Sequence, residues 1–212
     1  MLTMSTANKF TLTRIVLAPI IFLLFKLPDL LSLSPQSVWC IVSAAAIFPL
    51  LAIAEITDYF DGHYARKLDQ VSDFGKMFDP FADVFLHLSM FALFATSGRM
   101  PLVCFVLILY REFAQSFLRM VSAKEGVAIA ARKGGKVKTV FYVGSCFVAL
   151  IAETLARVQA AGVLADQGET IEALQRAFSL STNVLFVVCV VLAYASFIDY
   201  IKNFGGVFKH LM

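Results

Sequence analysis

The chain has 212 residues and a net charge of +3, with 59% hydrophobic and 16% charged residues and a mean hydropathy of +0.80. That composition excludes an ordinary water-soluble domain and places most of the chain in a bilayer. The small positive charge suits an anionic membrane leaflet, and no nucleic-acid partner is expected.

A spanning helix needs roughly 20 mostly apolar residues, and six stretches approach that length: about 12–31, 37–57, 80–98, 100–121, 137–157 and 182–202. The predicted fold is all-α, a single domain over residues 1–212 built as a bundle of six transmembrane helices, with no room for a separate soluble domain. Residues 1–14 are polar enough to form an interfacial lead-in helix, with Phe10 and Leu12 dipping into lipid. The first apolar stretch lacks a small-residue cleavage site and reads as a retained helix. Pro28, Ser32, Ser34 and Pro35 mark the first outer turn. Ser97, Gly98 and Pro101 mark a very short second one, so the third and fourth spans should form a tight hairpin.

Segment 158–181 carries Asp166, Glu169 and Glu172 against Arg176 and reads as a solvated outer loop with a helical turn or two. Cys40, Cys104, Cys146 and Cys189 all lie in apolar stretches without a CxxC pair, as buried free thiols do. Of the 18 Lys and Arg residues, only Lys26, Arg99, Arg157 and Arg176 fall on one side of the six-span topology. The positive-inside rule then puts both termini, with the second and fourth loops, in the cytoplasm.

The most informative region joins the second and third spans. It runs Thr57-Asp58-Tyr59-Phe60-Asp61-Gly62-His63-Tyr64-Ala65-Arg66 and continues to Gly75, Asp79 and Asp83. An acid at a membrane boundary costs roughly 2.5–3.5 kcal/mol on insertion scales and is read as functional by default. Asp58 and Asp61 are three apart, Asp79 and Asp83 four apart, so each pair shares a helix face and two helices can present four carboxylates to one cavity. Such acids cannot all stay ionised without cations, and oxygen-only ligation selects hard ions such as Mg²⁺ or Mn²⁺. Gly62, Ala65 and Gly75 leave the helix surfaces open beside the acids, and Arg66 offers a fork suited to phosphate. Asp69 and Asp73 read as solvated or helix-capping residues.

The order D-x-x-D-G-x-x-A-R-x8-G-x-x-x-D-x-x-x-D resembles the signature of the CDP-alcohol phosphotransferase family at all of its fixed positions. The resemblance implies a two-metal site held by Asp58, Asp61, Asp79 and Asp83, with Asp83 also the general base. It implies a CDP site walled by Gly62, Ala65, Arg66 and Gly75 beside Asp58 and Asp61, with Arg66 part of the catalytic apparatus. Two metals would bridge the pyrophosphate and stabilise the departing CMP while a carboxylate takes the acceptor's proton. A homodimer is implied as well.

Other motifs carry less. Gly134-Gly135-Lys136 has neither the preceding glycine nor the following Ser or Thr of a phosphate loop. His63, His87 and His210 are scattered, although His63 is placed to line the cavity. Glu55, three residues before Asp58, can either join the acidic face or bond a neighbouring helix.

Arg111, Gln115 and Arg119 recur on one stripe of the fourth span, with Glu112 and Ser116 beside them, and Lys136 and Lys138 enter the fifth span from the same side. Cations placed so need partners, and Arg111, Arg119, Lys136 and Lys138 together suit a small dianionic acceptor. The rival reading is snorkelling to lipid phosphates, which accounts for Lys124, Arg132 and Lys133.

The stretch Arg111-Glu112, Ser116, Arg119, Gly126, Ala130-Ala131 and Gly135 to Thr139, with Asn8, Thr11, Arg14 and Pro19, looks like the bacterial phosphatidylglycerophosphate synthases within that family. Val84, where those enzymes commonly have Lys, and Glu55 are departures. The resemblance implies CDP-diacylglycerol and glycerol 3-phosphate as substrates, and a bacterial inner membrane with the site facing the cytoplasm. The same chemistry with choline, ethanolamine, serine or inositol phosphate is the nearest alternative. A cation transporter, with acids near the midplane, is the alternative of another class.

Overall fold

The computed structural model describes the backbone of residues 6–67, 73–124, 133–163 and 168–209, and the side chains of these apart from 6–7, 58–67, 73–74, 76, 124, 133, 168 and 204–209. The described residues form seven helices: α1 (Thr6–Leu30), α2 (Val38–Ala45), α3 (Ile47–Lys67), α4 (Asp73–Thr96), α5 (Leu102–Lys124), α6 (Lys133–Ala160) and α7 (Gly168–Lys209). Helices α2 and α3 make one membrane crossing, Val38–Thr57. They are separated at Ala46 because Pro49 has no N–H to offer the Ala45 carbonyl. Ser37 opens this crossing, its hydroxyl accepting from the Trp39 N–H as an N-cap residue does.

Five helical stretches are long and apolar enough to span a membrane. Helix α5 matches them in length and differs in carrying three charged residues, Arg111, Glu112 and Arg119, within its apolar stretch. With α5 the count is the expected six, and the protein is an integral membrane protein with an all-α fold. The tight hairpin appears where expected. Gly98 sits at φ +74, and the Arg99 N–H reaches back to the Phe94 carbonyl at 2.8 Å, closing α4 in the left-handed manner that glycine allows.

Two segments outside the spans differ in how they join the helices beside them. Residues 6–14, expected as a lead-in helix, are helical and continue without a break into the first span as α1, which runs to Leu30. Thr11 and Arg14 on that segment are buried in the bundle. Within 158–181, helix α6 continues to Ala160 and α7 already starts at Gly168, so the described part of the expected outer loop is largely helix. Glu-Ala-Leu-Gln-Arg-Ala is good helix-forming sequence whatever its polarity, and Glu172 and Arg176 pair at 3.3 Å across one turn.

Helix α1 packs against both α3 and α4, α6 runs along α7, and α4 touches α5 and α6. The core between them is aromatic: Phe91 meets Tyr142 at 5.0 Å and Phe186 at 5.4 Å, both edge-to-face, as ring quadrupoles prefer. All four cysteines are free and buried.

This up-and-down course gathers the start of α1, the end of α3, the start of α4, the end of α5, the start of α6 and the end of α7 at one end of the bundle. At the opposite end Arg157 donates to Phe25 O, Cys40 O and Ser43 Oγ and pairs with Glu153. Arg99 binds the other oxygen of Glu153 at 2.9 Å. Arg157 and Arg99 thus tie α1, α2 and α6 to the turn between α4 and α5.

Candidate active site

At the charge-rich end lies a cavity of about 190 Å³. Helix α4 contributes Asp79, Pro80, Asp83 and Val84; α5 contributes Arg111, Glu112, Gln115 and Arg119; α6 contributes Gly135, Lys136, Lys138 and Thr139; α7 contributes Ser196, Asp199 and Tyr200. The two motif acids on α4 and all four cations expected at an acceptor phosphate therefore line one space.

Asp79 and Asp83, one turn apart, direct an oxygen each at a single guanidinium. Arg14, fully buried on α1, donates to both. Pro80 between them cannot donate to the carbonyl four residues earlier, which loosens the helical ladder at the cavity wall. Asp58, Asp61, Gly62, Ala65 and Arg66 occupy the last turns of α3, and their side chains lie outside the described residues. Gly75 lies in the first turn of α4 and is half-buried.

The family implies a divalent metal. The donors fit one: two carboxylates already converge on one positive centre, all available donors are oxygens, and the other acid pair of the motif closes the helix that packs with α4 against α1. Among the described residues no set of three acid, histidine or cysteine side chains is assembled.

The acceptor side is organised by a residue that the sequence reading placed only on an adjoining stripe. Glu112, 2% exposed, receives Arg111 Nη1 at 2.8 Å on one oxygen. Its other oxygen receives Lys138 Nζ at 2.7 Å and the Tyr142 hydroxyl at 2.9 Å. Arg111 further donates to the Ala193 carbonyl at 3.0 Å and towards Ser196 Oγ at 3.4 Å. Arg111 and Lys138 are thus fixed in place, and the single carboxylate offsets one of their two positive charges before any ligand arrives. Arg119 differs: its Nε is buried and has no hydrogen-bond partner among the described residues. Lys136 is exposed at the rim.

Glu55 resolves toward the neighbouring helix. One of its oxygens stands 3.2 Å from His87 Nε2 on α4, while His87 Nδ1 meets the Asp83 carbonyl at 2.9 Å. His63 has its side chain outside the described residues, and His210 lies outside them altogether.

Residues 4–194 match the family model described as CDP-alcohol phosphatidyltransferase. The chain belongs to that family. Family members are generally dependent on a divalent metal. The chain is similar to the CDP-diacylglycerol–glycerol-3-phosphate 3-phosphatidyltransferase of Treponema pallidum, with 40% identity over 171 residues, 81% of this chain and 74% of the relative. The enzyme of the same name from Bacillus subtilis is 39% identical over 135 residues, 62% of this chain and 69% of the relative. That from Rickettsia typhi is 35% identical over 132 residues, 62% and 68% respectively.

Arg14, which bonds both α4 acids, is marked in the sequence only as part of an opening pattern. The available signal was a cation near an apolar stretch, which must find a partner. Ser196, Asp199 and Tyr200 carried no signal at all, because nothing in the sequence brings the end of α7 to α5.

Proposed function

We infer that the chain transfers a phosphatidyl group from CDP-diacylglycerol to glycerol 3-phosphate, giving phosphatidylglycerophosphate and CMP. The observation that carries this reading is the shared cavity, in which Asp79 and Asp83 stand across from Arg111, Arg119, Lys136 and Lys138. An acceptor whose phosphate lies among the cations would have its hydroxyl within the reach of the acids. Similarity to the phosphatidyltransferases of Treponema and Bacillus supports the same acceptor.

In this mechanism Gly62, Ala65, Arg66 and Gly75 border the nucleotide, with Arg66 gripping phosphate. Asp58, Asp61, Asp79 and Asp83 would hold divalent metal, Mg²⁺ or Mn²⁺ in a two-metal site, which would supply charge neutralisation for the pyrophosphate and the departing CMP. Asp83 accepts the proton of the acceptor's C1 hydroxyl, a general-base role worth typically 10²–10⁴-fold. The C1 oxygen bonds to the phosphatidyl phosphorus, and the bond from that phosphorus to the CMP oxygen breaks. Arg119 and Lys136 orient the acceptor by its phosphate, and Glu112 keeps Arg111 and Lys138 in place. The lipid tails of the donor remain in the bilayer, entering the site sideways.

The site faces the cytoplasm of a bacterial inner membrane, a reading supported by the Lys/Arg asymmetry. A homodimer rests on the family resemblance. Clustering of the acids at one end of the bundle counts against a transporter, which would hold them near the midplane.

The test is CMP release by purified enzyme from CDP-diacylglycerol, with glycerol 3-phosphate, serine, inositol phosphate and choline supplied in turn. Glycerol 3-phosphate should support the highest kcat/KM. A preference for a neutral or cationic alcohol would overturn the acceptor, and no CMP release with any alcohol would overturn the reaction.

A further inference from the structure

Gln115 lies on α5 one turn after Arg111 and one turn before Arg119, and it lines the same cavity. Its side chain is buried at 4% exposure, and its Oε1 is closed to solvent with no hydrogen-bond partner among the described residues. Buried polar atoms are nearly always satisfied, so an orphan at a cavity wall points to a ligand.

The chemistry of that ligand atom follows from the amide. A carbonyl oxygen only accepts, so it cannot pair with a phosphate dianion, which also only accepts. It needs a donor. The nearby cations Arg111 and Lys138 are held by Glu112. Glycerol 3-phosphate carries two hydroxyls, and the C1 hydroxyl gives its proton to a carboxylate in the transfer. The C2 hydroxyl is the remaining donor. The cavity, at about 190 Å³, lies below the roughly 300–1,000 Å³ of drug-sized ligand pockets, a scale on which a three-carbon phosphate brings C2 close to the wall.

We propose that Gln115 Oε1 accepts a hydrogen bond from the C2 hydroxyl of the acceptor, making Gln115 a specificity residue that selects glycerol 3-phosphate over phosphorylated alcohols lacking that hydroxyl. This rests on the acceptor assigned above. A site built to bond a hydroxyl disfavours the analogue lacking it, because its own polar group is left unpaired.

The competing role is internal. Arg119 Nε also lacks a partner, and Gln115, four residues away, would orient Arg119 if the two closed on each other. The two roles differ in what they discriminate. Orientation of Arg119 affects every phosphorylated acceptor alike, whereas reading of the C2 hydroxyl affects only those that carry it.

The experiment compares kcat/KM for glycerol 3-phosphate and 3-hydroxypropyl phosphate, which lacks only that hydroxyl, at saturating CDP-diacylglycerol. It uses the wild type, Gln115→Met, which keeps the length without the carbonyl, and Gln115→Leu. The wild type should favour glycerol 3-phosphate by about tenfold or more. Both variants should lose this preference to within about threefold while keeping turnover on the shorter acceptor, which reports that they are folded. An unchanged preference, an equal loss on both acceptors, or no turnover by either variant on either acceptor would overturn the proposal while leaving the proposed reaction intact. A wild type that ignores glycerol 3-phosphate but uses another alcohol would overturn both.

Discussion

Arg119→Ala separates a ligand-binding cation from a structural one. The Arg119 side chain lines the cavity and makes no ion pair among the described residues, its Nε being buried without a partner. A charge-assisted hydrogen bond to phosphate is worth about 1.5–3 kcal/mol, and about 1.4 kcal/mol is a factor of ten. The KM for glycerol 3-phosphate should therefore rise roughly ten- to a hundredfold, with little change in the KM for CDP-diacylglycerol and little change in thermal stability in detergent. Lys138→Ala should behave differently. It removes the 2.7 Å bond to Glu112 and leaves a carboxylate that is 2% exposed with one cation fewer, so stability should fall by about 3 kcal/mol along with acceptor affinity. Steady-state CMP release at varied concentrations of each substrate, with thermal melts of the same preparations, measures both. Normal glycerol 3-phosphate kinetics in Arg119→Ala, or a parallel rise in the KM for CDP-lipid, would refute the assignment of Arg119 to the acceptor phosphate.

Asp83→Asn should keep CDP-lipid binding while lowering turnover by about 10²-fold or more; near-normal turnover would remove Asp83 from the base role. Exhaustive chelation should abolish CMP release, and Mg²⁺ or Mn²⁺ should restore it, whereas full activity after chelation would contradict a metal site. Arg157→Ala, at the opposite end of the bundle, strips partners from Glu153, Phe25 O, Cys40 O and Ser43 Oγ. It should lower stability by about 3 kcal/mol with both KM values unchanged, and an unaltered melt would show that the network adds nothing.

Much of the fold was legible because its signals are local. Apolar length located the spans, and Ser97, Gly98 and Pro101 located the hairpin, since a turn is written in the residues that make it. The motif acids were legible for the same reason: spacings of three and four place them on a helix face whatever the rest of the chain does. The expected outer loop differed because polarity stood in for conformation there. Residues 168–181 are polar, yet they are helical, because leaving the membrane does not end a helix made of good helix formers.

What could not be read is which polar residues meet. Arg14 reaches Asp79 and Asp83 across 65 and 69 positions, and Lys138 reaches Glu112 across 26. Hydropathy says only that each is expensive in a bilayer. The structure turns that expense into a division of charge. The α4 acids face a cation from α1, while Glu112 holds Arg111 and Lys138 and offsets one of their two charges, so both halves of the site are partly compensated before a substrate enters. Two cations on the cavity, Arg119 and Lys136, have no ion pair among the described residues. With the charge of Arg111 and Lys138 that the single Glu112 carboxylate leaves over, set against the Asp199 carboxylate on the same wall, these cations leave a positive excess for a phosphate dianion. A neutral or cationic alcohol would leave them uncompensated, so the preference for a phosphorylated acceptor follows from charge left over at the wall and not from the number of cations in the loop.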